Sequence, residues 1–182
     1  MNLPNKITML RVIMIPFFAF FMLTDIVEYS KYIAATIFII ASLTDTLDGF
    51  IARKYNLVSN FGKFMDPLAD KLLVSTALIC FVSIQDNPMP VWGVIVIISR
   101  EFIISGFRLV AADEGVVLAA SWLGKVKTTV QMIMSILLIV NFSGEVIDFV
   151  EQIFIYAAIA LTIMSLVDYL TKNWKVLDDG NM

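Results

Sequence analysis

Six apolar stretches, each long enough to cross a hydrocarbon core of about 30 Å as a helix, can be drawn at residues 7–24, 31–50, 68–85, 89–111, 126–142 and 146–170. The polar breaks between them are short, at 24–30, 54–63, 85–88, 113–125 and 141–145. Of the 182 residues 59% are hydrophobic, and the mean hydropathy is +0.87, which places the chain outside the soluble globular class. The expected fold class is all-α: a polytopic membrane protein with six transmembrane helices, forming a single domain over residues 1–182. Lys6 and Arg11 precede the apolar run from Ile13 to Leu23 in the manner of a signal peptide. No small-residue cleavage site follows, so the first stretch is expected to remain as a helix.

Basic residues indicate the orientation, because cytoplasmic flanks carry the excess of lysine and arginine. With the N-terminus inside, every Lys and Arg except Lys31 lies at a cytoplasmic-side end or within the helix adjoining it. The opposite loops hold Asp25, Glu28, Asp86, Glu145, Asp148 and Glu151. Both termini are therefore expected in the cytoplasm. The net charge of -3 is segregated by side and says little about partners. A basic cytoplasmic face is expected to meet an anionic substrate, and no nucleic acid is expected. Cys80, the single cysteine, lies in the apolar run 72–82 and is read as a packing residue. With no histidine, any general base must be a carboxylate, tyrosine or lysine.

Against this apolar background, Asp45, Asp48, Asp66 and Asp70 crowd together. Each carboxylate at bilayer depth costs roughly 2.5 to 3.5 kcal/mol, and mutual repulsion adds to that unless cations neutralise the group. At about 100° per residue, Asp45 and Asp48 share one face of the second helix, and Asp66 and Asp70 one face of the third. The polar connection, with Asn56, Ser59, Asn60 and Gly62, lets the two helices return as antiparallel neighbours. All four carboxylates can then converge. Oxygen-only ligands favour Mg²⁺ or Mn²⁺ over zinc. Gly49 and Ala52 leave room beside such ions for a diphosphate, and Arg53 offers a planar donor fork for a phosphate oxygen. The bland alternative is a set of interfacial acids reaching for water, with Gly49 and Ala52 merely packing helices.

Written out, residues 45–70 read D-x2-D-G-x2-A-R-x8-G-x3-D-x3-D, which resembles the signature of the CDP-alcohol phosphotransferase family with no departure. The resemblance implies a six-helix fold, a homodimer, and two metal ions, Mg²⁺ or Mn²⁺, held by Asp45, Asp48, Asp66 and Asp70 at the cytoplasmic boundary of a bacterial-type inner membrane. It implies that Asp70 deprotonates the attacking alcohol; spacing alone does not choose among the four. It also implies that the CDP donor lies against Asp45, Gly49, Ala52, Arg53 and Gly62.

Residues 99–131 resemble one branch of that family, the one whose acceptor is sn-glycerol 3-phosphate and whose donor is CDP-diacylglycerol. The matching pieces are Ser99 to Phe102, Ser105 to Arg108, Ala119 to Ser121, and Gly124 to Thr128 followed by Gln131, with a similar opening from Asn2 to Thr8 and Arg11. Arg100, Glu101, Ser105 and Arg108 form a polar stripe on the fourth helix. Arg100, near mid-membrane, is expected to face a cavity or pair with an acid such as Glu101. Two readings stay open: a structural ion pair, or capture of the acceptor phosphate by Arg108, Lys125 and Lys127 with help from Arg100. Lys125 and Lys127 also suit ordinary cytoplasmic flanks. Asn5, Thr8 and Arg11 share a face of the first helix, and Thr8 is placed with the acceptor group. Asp168 is read as reaching toward Lys172, and Phe17, Phe18, Phe20 and Phe21 as lipid-facing or core residues.

Rival readings keep the family with another acceptor (inositol or its phosphate, serine, phosphatidylglycerol), or replace it with an aspartate-rich prenyl-diphosphate transferase or a divalent-cation transporter. A transporter calls for acids distributed through the membrane depth, whereas these four gather at one level.

Overall fold

The computed structural model describes residues 3–54, 60–84, 87–113 and 121–174, without the side chains at 3–4, 46–54, 60–61, 63–64, 67 and 112–113. Among the described residues there are six helices and no strand: α1 Leu3–Leu23, α2 Ser30–Lys54, α3 Asn60–Ser83, α4 Val91–Asp113, α5 Trp122–Val140 and α6 Glu145–Lys172. The all-helical expectation holds. In lipid this is the economical solution, since a helix satisfies its backbone groups internally. Among the described residues three helices are long and apolar enough to cross a membrane: Asn5–Leu23 of α1, Trp122–Val140 and Glu145–Lys172. The other three have 25, 24 and 23 residues, long enough at about 1.5 Å per residue, but charges interrupt them. Those charges include Asp45 and Asp48 on α2, Asp66 and Asp70 on α3, and Arg100, Glu101 and Arg108 on α4.

The chain forms two compact units, one of residues 1–87 with 135–142, the other of residues 88–134 with 143–182. In the first, α1 packs on α2 and α3, and α2 on α3. Arg11 reaches Ala41 and Asp45, while Phe18, two turns further along α1, meets Phe38, with ring centroids 5.7 Å apart. The partners retreat along α2 as α1 advances, so the two helices are antiparallel. Ala34 and Ala41, both fully buried, keep the α2 surface thin enough for close approach. On α3 the buried stripe Ala69, Leu73, Ala77 and Phe81 repeats every four residues, the spacing of one helix face. Cys80 is buried, as a packing residue should be.

In the second unit α4 packs on α6. Gly93 lies so near that an added Cβ would fall 2.6 Å from Ile159 Cδ1, and further along both helices Phe107 and Arg108 meet Tyr169. Contacts advance together, so α4 and α6 run parallel. α5 meets α4 through Lys127, which pairs with Glu101, and through Gly124, which lies beside Arg100. α6 buries Glu151, Ile155, Ala158, Thr162, Ser165 and Tyr169, spaced alternately by four and three, the repeat of one helix face.

Large apolar side chains point outward along the helices: Ile13, Phe17 and Phe20 on α1, Ile95, Phe102 and Leu109 on α4, Phe149, Ile153 and Val167 on α6. Such faces are a liability in water and natural in lipid. Phe18 is buried while Phe17 and Phe20 are exposed, so the aromatic run serves both core and outer surface. Helix hydroxyls turn back on their own backbone, as Thr36 on Tyr32 O, Ser42 on Phe38 O and Thr162 on Ala158 O, so the apolar faces present few unserved donors.

Candidate active site

Two turns of α1 hold one acid from each pair. Arg11 is fully buried, and a guanidinium in an apolar interior must find partners. Its Nη1 donates to Asp45 Oδ1 at 2.7 Å and its Nε to Ala41 O at 3.2 Å. One turn earlier, the buried Thr8 hydroxyl donates to Asp66 Oδ1 at 2.5 Å. Thr8 and Arg11 stand about 4.5 Å apart in helix rise, so α2 and α3 each deliver one carboxylate to adjacent turns of a third helix. One acid of each pair, Asp45 of α2 and Asp66 of α3, is thus held by α1.

The remaining members are placed unevenly. Asp70 is half-buried on α3 one turn beyond Asp66, and Gly62 is buried in the first turn of α3. Asp48, Gly49, Ala52 and Arg53 occupy the last turns of α2, and their side chains lie outside the described residues. Among the described residues no three acidic side chains stand at metal-ligating distance. The donor set itself fits a hard divalent cation, because every candidate ligand is a carboxylate oxygen.

The basic residues form a second constellation within their own unit. Arg100 Nη1 donates to Glu101 Oε1 at 3.1 Å, and Lys127 Nζ pairs with the same oxygen. The side chains of Arg100 and Lys127 are only 9% and 2% exposed. Arg100 thus pairs with Glu101, one of the two outcomes expected for it, and Arg100 Nε has no hydrogen-bond partner among the described residues. Lys127, expected at the acceptor phosphate, joins that ion pair. Arg108 and Lys125 are exposed. Arg108 Nε donates to Tyr169 Oη at 3.3 Å, and its guanidinium carbon lies 5.5 Å from the centre of that ring, within cation–π range. Thr8, also placed by sequence with the acceptor group, has its hydroxyl on Asp66.

Sequence reasoning set Arg11 on the right face of α1 without finding its partner, and it passed over Tyr169 altogether. A full-turn polar spacing is visible in a sequence; which carboxylate it meets is not. Tyr169 carried no signal, being one aromatic residue in an apolar helix. Asp168 pairs with Lys172, Oδ1 to Nζ at 2.6 Å, the contact expected for a residue near a helix end.

Comparison with known proteins extends this picture. The family model described as CDP-alcohol phosphatidyltransferase matches residues 1–164. A Bacillus subtilis protein named CDP-diacylglycerol–glycerol-3-phosphate 3-phosphatidyltransferase is 47% identical, with 99% of each chain covered. Proteins of the same name from Haemophilus influenzae and Escherichia coli K12 are 41% and 37% identical; the alignments cover 93% of this chain in both cases, and 91% and 93% of those proteins. With the family model matching residues 1–164 and similarity running the length of the chain, the protein belongs to the CDP-alcohol phosphatidyltransferase family.

Proposed function

We propose that this enzyme transfers the phosphatidyl group from CDP-diacylglycerol to the primary hydroxyl of sn-glycerol 3-phosphate, giving phosphatidylglycerophosphate and CMP. The observation that carries this is the identity of 37–47% over nearly the whole chain to proteins named for that reaction. The acceptor hydroxyl forms a new bond to the lipid-bearing phosphorus, the bond from that phosphorus to the CMP oxygen breaks, and the hydroxyl proton passes to a carboxylate of Asp70. Gly49, Ala52 and Gly62 give the nucleotide diphosphate room, Asp45 takes part in its binding, and Arg53 holds a phosphate oxygen.

Asp45, Asp48, Asp66 and Asp70 would hold two divalent ions, Mg²⁺ or Mn²⁺. Bound there, such ions neutralise the diphosphate and the charge that develops on the leaving group. Arg11 and Thr8 hold one oxygen each of Asp45 and Asp66.

Arg100, Arg108, Lys125 and Lys127 are assigned to the acceptor's phosphate. Arg108 and Lys125 are the exposed members and lead in this role, while Arg100 and Lys127 share Glu101. Replacing Arg108 with Ala is expected to raise the apparent KM for glycerol 3-phosphate about tenfold or more, since a charged hydrogen bond is worth roughly 1.5–3 kcal/mol, with little change in KM for the lipid donor. Equal increases for both substrates would remove Arg108 from the acceptor site.

We further propose that residues 1–182 act as one membrane domain of six spans with both termini in the cytoplasm, that the acids face the cytoplasmic side of the inner membrane, and that the enzyme works as a homodimer. The antiparallel α1–α2 pair and the parallel α4–α6 pair are in keeping with alternate crossing. The deciding experiment is CMP release by the detergent-solubilised protein with CDP-diacylglycerol and Mg²⁺, supplying glycerol 3-phosphate, inositol phosphate, serine or phosphatidylglycerol one at a time. Release with glycerol 3-phosphate alone, lost on chelation, is expected. Release with a different acceptor overturns the acceptor assignment, and ion flux without CMP release overturns the enzyme.

A further inference from the structure

We infer that Arg11 and Thr8 are positioning residues for the ion-binding carboxylates, α1 serving as a template that fixes one acid from each pair. The inference rests on the metal-binding reading of the aspartates. Both donors are buried, both lie on one face of α1, and they engage different helices: Arg11 takes Asp45 of α2, and Thr8 takes Asp66 of α3. Arg11 is itself held by Ala41 O through Nε, so its fork cannot swing away from Asp45 without giving up a second bond. With Oδ1 of each carboxylate engaged by α1, the placement of Asp45 relative to Asp66 is set by the spacing of Arg11 and Thr8.

A buried arginine beside a metal site has two simpler roles: a counter-charge that offsets the acids when no ion is bound, or a packing residue for α1 and α2. The three roles differ in sign. Groups that orient metal ligands typically change metal affinity 10- to 100-fold when replaced. A counter-charge repels the ion, so its removal tightens binding. A packing residue leaves metal affinity alone and lowers stability.

The test measures Mn²⁺ binding by the paramagnetic resonance signal of the free ion, with detergent-solubilised wild type, Thr8→Val, Thr8→Ser, Arg11→Lys and Arg11→Met, and follows thermal unfolding of each without metal. The expected result is that Thr8→Val, Arg11→Lys and Arg11→Met all weaken Mn²⁺ binding about tenfold or more, while Thr8→Ser, which restores the hydroxyl, returns to within about threefold of wild type. Tighter binding by Arg11→Met, with Arg11→Lys unchanged, makes Arg11 a counter-charge and overturns the proposal. Unchanged binding with lowered unfolding temperatures makes both residues structural and overturns it as well. If either Arg11 variant does not fold, the Thr8 pair decides alone, because valine and serine each keep most of the native volume. Wild-type protein that binds no Mn²⁺ sinks the metal reading, and this proposal with it, whereas failure of this proposal alone leaves wild-type binding intact.

Discussion

Replacing Asp70 with Asn is expected to lower CMP release by about 10²- to 10⁴-fold, the range over which a positioned general base contributes. Asparagine keeps the size of the side chain and most of its hydrogen bonding but takes no proton at neutral pH. The chain has no histidine, and in the proposed allocation Asp45, Asp48 and Asp66 are committed to the ions, so none of them is a ready substitute. The measurement is turnover at saturating donor, acceptor and Mg²⁺, with the unfolding temperature as a control for folding and the Mn²⁺ midpoint as a control for ligation. Loss of turnover that persists at Mg²⁺ concentrations saturating the variant, as set by its own Mn²⁺ midpoint, with the unfolding temperature near wild type, isolates the proton transfer. Turnover within a few-fold of wild type would remove Asp70 from the role of base.

The second large effect is on stability. Glu101 is the shared acceptor of two cations whose side chains are 9% and 2% exposed, so Glu101→Gln leaves two positive charges beside one another in an apolar setting. Removing one partner from a buried ion pair costs about 3–5 kcal/mol, which is a large fraction of the stability of an ordinary domain. The expected result is a marked fall in the unfolding temperature in detergent. Adding Lys127→Met to Glu101→Gln should recover a large part of it, since only Arg100 then remains uncompensated. A Glu101→Gln protein as stable as wild type, or a double variant less stable than the single one, would show that this triad does not hold α4 and α5 together.

Much of the helical layout was legible because each apolar stretch had to be about as long as the membrane is thick. The boundaries differ where a helix continues past its apolar part. α3 starts at Asn60, well before the stretch drawn from residue 68, because its first two turns carry Lys63 and Asp66. Periodicity fixes a face and not a partner, which is why Arg100–Glu101, adjacent in sequence, was foreseen while Arg11–Asp45 and Arg108–Tyr169 were not. The signature at 45–70 identified the chemistry through residues close in sequence. The α1 contacts that organise it depend on how three helices pack, and a single sequence does not display that.

The sharing of Glu101 also bears on how the chain is assembled. In the six-span reading, Arg100 and Glu101 enter the bilayer on the same helix and already form a pair with no formal charge, so α4 can be inserted before anything else is present to meet it. Lys127 has no such companion on α5 within its own turn: its neighbours there are Lys125, Val126, Thr128 and Thr129. It must find its counter-charge on a helix laid down earlier. The order of synthesis thus supplies the acid first and the lysine afterwards, and a chain in which α5 preceded α4 would have to bring an ammonium group into lipid with nothing waiting to receive it.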